Sequence, residues 1–159
     1  MKKTLILITI GFILFNGKPT QESKPIRELD IVYFLDNYSK PKNEIWVCYF
    51  WATWCLNCVR SHEILAGLDK EFNNQHIRLI SLSLDNKKRK WEEFIQTHPA
   101  SWEQTYAADT PFDKKFRKNF GSMPNLPQLF IIKRDGKPYK VRYLNQLKGE
   151  LQKILEEEK

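Results

Sequence analysis

Cysteine, histidine and long apolar runs are all scarce in this chain of 159 residues, and each scarcity narrows what it can be. There are three cysteines and three histidines. A closed zinc site draws its four ligands from Cys and His at short, paired spacing. Cys55 and Cys58 form one such pair, but Cys48 and the scattered His62, His76 and His98 offer no second one. The apolar run Thr4 to Phe15 falls short of the ~20 residues that a membrane-spanning helix requires. No extended basic patch stands alone either. Lys87 to Lys90, and Lys114, Lys115, Arg117 and Lys118, are interleaved with acids and rings at helical spacing. The net charge of +7 therefore reads as solvated helix faces, not as a nucleic-acid surface.

What is present is ample apolar material. With 42% apolar, 28% charged and 13% aromatic residues, the chain has the composition of one globular domain with a substantial core. Five Trp, six Tyr and ten Phe imply a core or groove walled by rings.

Residues 1–17 stand apart. Met1, Lys2 and Lys3 precede the apolar run, and the chain turns polar at Asn16, which is the layout of a secretory signal. Cleavage after Gly17 places Phe15 where a small side chain is usual, and no Cys follows to accept a lipid. The expectation is a signal peptide or an uncleaved N-terminal anchor over 1–17, and one domain over 18–159. A buried N-terminal helix is the competing reading.

The periodicity then gives an ordered series of elements. Ile26 to Tyr38 carries a weak helical pattern, and Ile45 to Trp51 is an unbroken apolar strand. Leu56 to Phe72 is a helix through Ile64, Leu65, Leu68 and Phe72, and Ile77 to Leu84 is an alternating strand. Lys88 to Thr97 is a short helix bearing Trp91, Phe94 and Ile95. His98 to Thr110 has no assignable pattern. Pro111 to Phe120 places Phe112, Phe116 and Phe120 on one helical stripe. Leu129 to Arg134 and Tyr139 to Leu144 flank an Asp-Gly-Lys turn as a hairpin, and Leu144 to Glu158 closes the chain as an amphipathic helix. This order predicts an α/β fold, a mixed sheet with helices on both faces.

The cysteines fall at an informative junction. Outside the cytoplasm structural thiols normally pair, and three cannot all do so. Cys48 sits within Ile-Trp-Val-Cys-Tyr-Phe-Trp and reads as a small buried hydrophobe, leaving Cys55 and Cys58. A helix that starts directly after a strand aims unpaired N–H groups and the positive end of its dipole at its first turn. A Cys55 thiolate there is stabilised, so the thiol pKa is expected to fall below the reference of about 8.5. Cys58 lies one turn on. Together they can carry out thiol–disulfide exchange: Cys55 attacks a disulfide, a mixed disulfide forms, and Cys58 displaces the substrate. The aromatic Trp54, immediately before Cys55, suits a flat apolar rim for a polypeptide. The alternative is a copper or zinc binding module, a metallochaperone, in which His62 joins the two cysteines; otherwise His62 is expected to be a lone exposed histidine.

Trp-Ala-Thr-Trp-Cys-x-x-Cys after an apolar strand, then Ser-Leu-Ser-Leu-Asp at 81–85, Leu-Pro-Gln-Leu-Phe-Ile-Ile at 126–132 and Asp-Gly-Lys, together resemble the thioredoxin superfamily. Within it, the chain is similar to the exported TlpA/ResA-like thiol–disulfide oxidoreductases over Ile45 to Leu155. The resemblance implies a three-layer α/β/α thioredoxin-like sandwich and protein-disulfide reduction by Cys55 and Cys58 with no cofactor. It also implies a periplasmic or extracytoplasmic location and a membrane-embedded electron donor. It assigns a cis-proline facing the cysteines to Pro127, with Pro124 as competitor, and places Leu126 and Trp54 at the substrate. Three departures stand out. The buried acid of many thioredoxins is matched by Tyr49 and its lysine partner by Ser81, with Glu63 as a candidate substitute. The dipeptide between the cysteines is Leu56-Asn57. The segment Gly121 to Asn125 is one residue longer than usual.

Overall fold

The structure, a computed structural model, describes residues 43–72, 75–107 and 125–158. The strand β1 is Ile45–Trp51, whose seven residues are all buried. Helix α1, Leu56–Phe72, returns the chain to β2, Ile77–Ser83. Helix α2, Lys88–Thr97, then leads to β3, Glu103–Tyr106. After 108–124 come β4, Gln128–Ile132, β5, Pro138–Val141, a 3₁₀ turn at Leu144–Gln146 and α3, Leu147–Glu157.

The five strands lie in the order β3-β2-β1-β4-β5. β1 and β2 run parallel, as do β2 and β3, so each helix between them is a crossover. β4 is antiparallel to β1 and forms a hairpin with β5. The turn needs a left-handed residue, and Gly136 supplies it at φ 84° without a Cβ penalty.

Register divides the apolar residues between two faces. Ile45, Val47, Tyr49 and Trp51 join Leu79, Leu129 and Ile131 beneath α1, α2 and α3. Trp46, Cys48 and Phe50 join Ile80, Leu82, Phe130 and Ile132 on the reverse. Both faces are buried, as a strand apolar at every position requires. The helical patterns at 26–38 and 111–120, the signal-like segment 1–17 and Pro124 lie outside the described residues. Among the described residues no helix is long and apolar enough to cross a membrane.

β1, α1 and α2 coincide with the sequence expectation at both ends. The region His98 to Thr110, left without assignment, contains β3. Its Glu-Gln-Thr-Tyr sequence has no apolar alternation because β3 is the outer strand, and pairing with β2 defines it. β2 stops at Ser83, and β4 covers Gln128–Ile132 instead of Leu129 to Arg134. β5 is Pro138–Val141, shorter than Tyr139 to Leu144, and the last helix is preceded by the 3₁₀ turn. On α1, Ile64 is exposed, whereas Ser61 and His62 are buried beside Leu65.

Phe130 is fully buried and meets the edge of Phe50 at a ring separation of 6.2 Å. Phe130→Ala is expected to destabilise the protein by about 3–5 kcal/mol, read as a lower urea midpoint at unchanged slope.

Candidate active site

The site lies at the carboxyl end of β1, where the parallel strands deliver the chain to α1, as ligand sites in open α/β sheets do. Cys55 and Cys58 are joined by a disulfide with a Cα–Cα distance of 5.2 Å. Cys55 occupies the turn before α1: its N–H donates to Ala52 O at 3.1 Å, and its carbonyl accepts from Cys58 N at 2.9 Å and Val59 N at 3.1 Å. The Cys58 N–H also points at Cys55 Sγ, 3.2 Å away. The first turn of α1 contains no acid, so no side chain of that turn offsets the positive end of its dipole at that sulfur. Cys55 is 8% exposed and Cys58 wholly enclosed. Cys48, the free cysteine among the described residues, is buried on the reverse face.

Opposite, the Leu126–Pro127 peptide is cis, at the proline expected from sequence. Gln128, next in line, pairs with Phe50, so Pro127 adjoins the end of β1 from which the cysteine turn springs. The Gln128 side-chain amide donates to Asn125 O, bracing the segment that carries the proline. Leu126 is half-buried against both cores. Trp54 and Leu56 flank Cys55 at 46% and 75% exposure, giving an apolar rim.

A residue the sequence reading left without a role holds the turn in place. Asp85, just beyond β2 and 2% exposed, accepts from Thr53 N through both carboxylate oxygens at 3.0 and 3.2 Å. It also accepts from Thr53 Oγ1 and Ser83 Oγ, each at 2.7 Å. These hydrogen bonds replace the water lost on burial and tie the cysteine turn to the neighbouring strand. The available signal was an acid directly after the alternating strand Ser-Leu-Ser-Leu.

Tyr49 fills the place of the missing acid. Its hydroxyl donates to Cys58 O at 2.9 Å, and burial holds the phenol well above its ordinary pKa, so it remains a neutral donor. Ser81 sits beside it in register, with a buried hydroxyl that has no partner among the described residues. Glu63 is exposed. His62 is 5% exposed, correcting the expectation of a surface histidine. Its ring is enclosed by Trp51 at 4.4 Å, Phe94 at 5.0 Å and Trp102 at 5.4 Å between centroids. Burial, with a smaller contribution from the charge of His98, pushes its pKa down to about 4. Among the described residues no three His, Cys, Asp or Glu side chains group as metal ligands.

Fold and site define a thioredoxin-type protein with a redox-capable cysteine pair at the head of its first crossover helix. The Thioredoxin-like family profile matches residues 43–138, and the chain belongs to that family. No curated protein matches it in sequence. Its fold is similar to a thiol:disulfide interchange protein from a Bacteroides species, at 18% identity and a TM-score of 0.60, covering 72% of this chain and 75% of that one. It is also similar to the thioredoxin domain of a thiol-disulfide oxidoreductase from Bacteroides vulgatus, at 19% identity and a TM-score of 0.60, covering 72% and 81%. A thiol-disulfide oxidoreductase from Bacteroides fragilis aligns at 23% identity and a TM-score of 0.57, covering 70% and 82%.

Two outcomes are expected. Asp85→Ala removes the acceptor of Thr53 and should cost about 2–3 kcal/mol in denaturant unfolding, with faster amide exchange at Thr53. His62 binds a proton in the unfolded chain below pH 6.5 but not in the folded one until about pH 4. Stability should therefore fall as pH drops from about 6.5 to 4, by up to ~3 kcal/mol, and His62→Phe should flatten that limb of the unfolding profile.

Proposed function

We propose that the chain is an exported thiol–disulfide oxidoreductase that reduces disulfides in other proteins. The observation that carries this reading is the Cys58 N–H aimed at Cys55 Sγ at the N-terminus of α1, whose first turn holds no acid. That geometry favours the Cys55 thiolate once the disulfide is reduced, and the thiolate is the form that attacks. Cys55 is the nucleophile, because it lies at the rim; Cys58, enclosed, is the resolving thiol. A substrate polypeptide lies on Trp54 and beside Leu126 and Pro127.

The reaction then runs as an exchange of sulfur partners. Reduced Cys55 attacks one sulfur of the substrate disulfide, and the other leaves as a thiolate. Cys58 attacks Cys55, the substrate is released as a dithiol, and the enzyme is left with the Cys55–Cys58 disulfide seen in the structure. No cofactor enters this exchange. Residues 1–17 act as a signal or anchor, 18–159 form the catalytic domain, and a membrane-embedded donor returns the electrons.

A redox titration decides the direction. A Cys55–Cys58 potential below about −200 mV is expected for a reductase, whereas one near −120 mV identifies an oxidase. Insulin reduction should persist with a chelator present and vanish in Cys55→Ala; activity lost to the chelator would sink the metal-free mechanism.

A further inference from the structure

Resolution of the mixed disulfide poses a problem that the proposed function leaves open. Cys58 must become a thiolate to attack, yet it is wholly enclosed, and burial opposes the charge. Its backbone N–H points at Cys55 Sγ and its carbonyl accepts from Tyr49, so neither takes up the thiol proton. Tyr49 is a neutral phenol committed as a donor. Glu63 is turned to solvent.

His62 meets the requirement. It follows Cys58 by four residues on α1, and both belong to the buried face of the helix. Residues so spaced are neighbours, and a helical side chain leans over the turn on its N-terminal side, here the turn of Cys58. The ring lies 4.4 Å from Trp51, the last residue of β1 before the cysteine turn, and 6.0 Å from Tyr49. Neither Nδ1 nor Nε2 has a hydrogen-bond partner among the described residues. A buried imidazole with both nitrogens unused is costly to retain for packing alone, since a phenyl ring would fill the same aromatic box.

We propose that His62 is the proton acceptor for Cys58 in the resolving step, standing in for the acid that Tyr49 replaces. This rests on the oxidoreductase reading above. The Cys58 S–H bond breaks and its proton passes to a ring nitrogen of His62. The Cys58 thiolate attacks Cys55 Sγ, the Cys55–Cys58 bond forms, and the bond from Cys55 to the substrate sulfur breaks. That sulfur departs with the electron pair as a thiolate and takes up a proton. The two cysteines supply the two electrons that reduce the substrate, so no other reductant is consumed.

The groups facing the imidazole keep it unprotonated at rest. Tyr49 and Trp51 come from β1, Phe94 and His98 from the end of α2, and Trp102 from the approach to β3. Of these only Tyr49 and His98 titrate, and no carboxylate is among them to hold a proton on the ring. The imidazole stays neutral until it takes the Cys58 proton.

The test separates the two half-reactions in the full chain. His62→Phe keeps the aromatic box. Its attack on a small aromatic disulfide through Cys55 should stay within about twofold of the parent, while release from the mixed disulfide should slow at pH 7 by about 100-fold, the lower end for general base catalysis. The deficit should shrink toward pH 9–10, where solvent deprotonates the thiol. Equal slowing of both steps, or a deficit independent of pH, marks a structural role and overturns the proposal. On the unaltered protein, histidine ring resonances give a measurement independent of the variant's folding. His62 should shift with Cys58 ionisation in the reduced protein and stay flat over the same range in the disulfide form; a flat response in both overturns it. Failure of the unaltered chain to react with any disulfide would instead overturn the oxidoreductase reading.

Discussion

The central position of β1 is the constraint on which the other features depend. It is hydrogen-bonded to β2 along one edge and β4 along the other, and both of its faces are buried. A strand so enclosed cannot shift register without exposing one apolar set and burying another set wrongly. The chain therefore leaves it at one place, just after Trp51, and must turn at once into α1. The cysteines inherit their location from that requirement. Cys55 stands at the first turn of the helix, where its sulfur faces the Cys58 N–H, and Cys58 is carried into the interior by that turn.

Two further devices keep the turn from relaxing. Asp85 fastens Thr53 to the end of β2, so the loop before Cys55 is tied to a neighbouring strand as well as to its own. On the other side β4 brings Pro127 alongside, with Gln128 bonded back to Asn125. The result is the Cys55 sulfur between two walls, with Trp54 and Leu56 left outward as an apolar surface. The buried Asp85 side chain accepts from Thr53 N, Thr53 Oγ1 and Ser83 Oγ, donors that belong to the segments it joins.

The enclosed region under α1 is more polar than its composition suggests. Tyr49 and Ser81 face the same side of the sheet in register, and His62 descends from the helix toward them. Trp51, Phe94 and Trp102 surround the imidazole with rings, which explains its lowered basicity: water is excluded and no anion replaces it. The same residues thus pack the core and set the protonation behaviour of His62.

Of the elements carried by continuous or periodic apolar sequence, β1, α1 and α2 match to the residue while β2, β4 and α3 differ at their ends, and the cysteine pair and Pro127 were identifiable from motif and position. These are properties of local pattern, where burial demands a fixed spacing of apolar side chains. β3 was not legible, because Glu-Gln-Thr-Tyr forms a strand only through its bonds to β2. Asp85 and His62 escaped for a related reason. A carboxylate and an imidazole look alike in sequence whether solvated or enclosed, and only the packing of β2, α1 and α2 against one another removes the water around them. The sequence by itself determined where the two thiols meet a helix start. Tertiary structure alone decided which distant side chains would hold that turn and surround the buried thiol, since those partners lie up to 32 residues away along the chain.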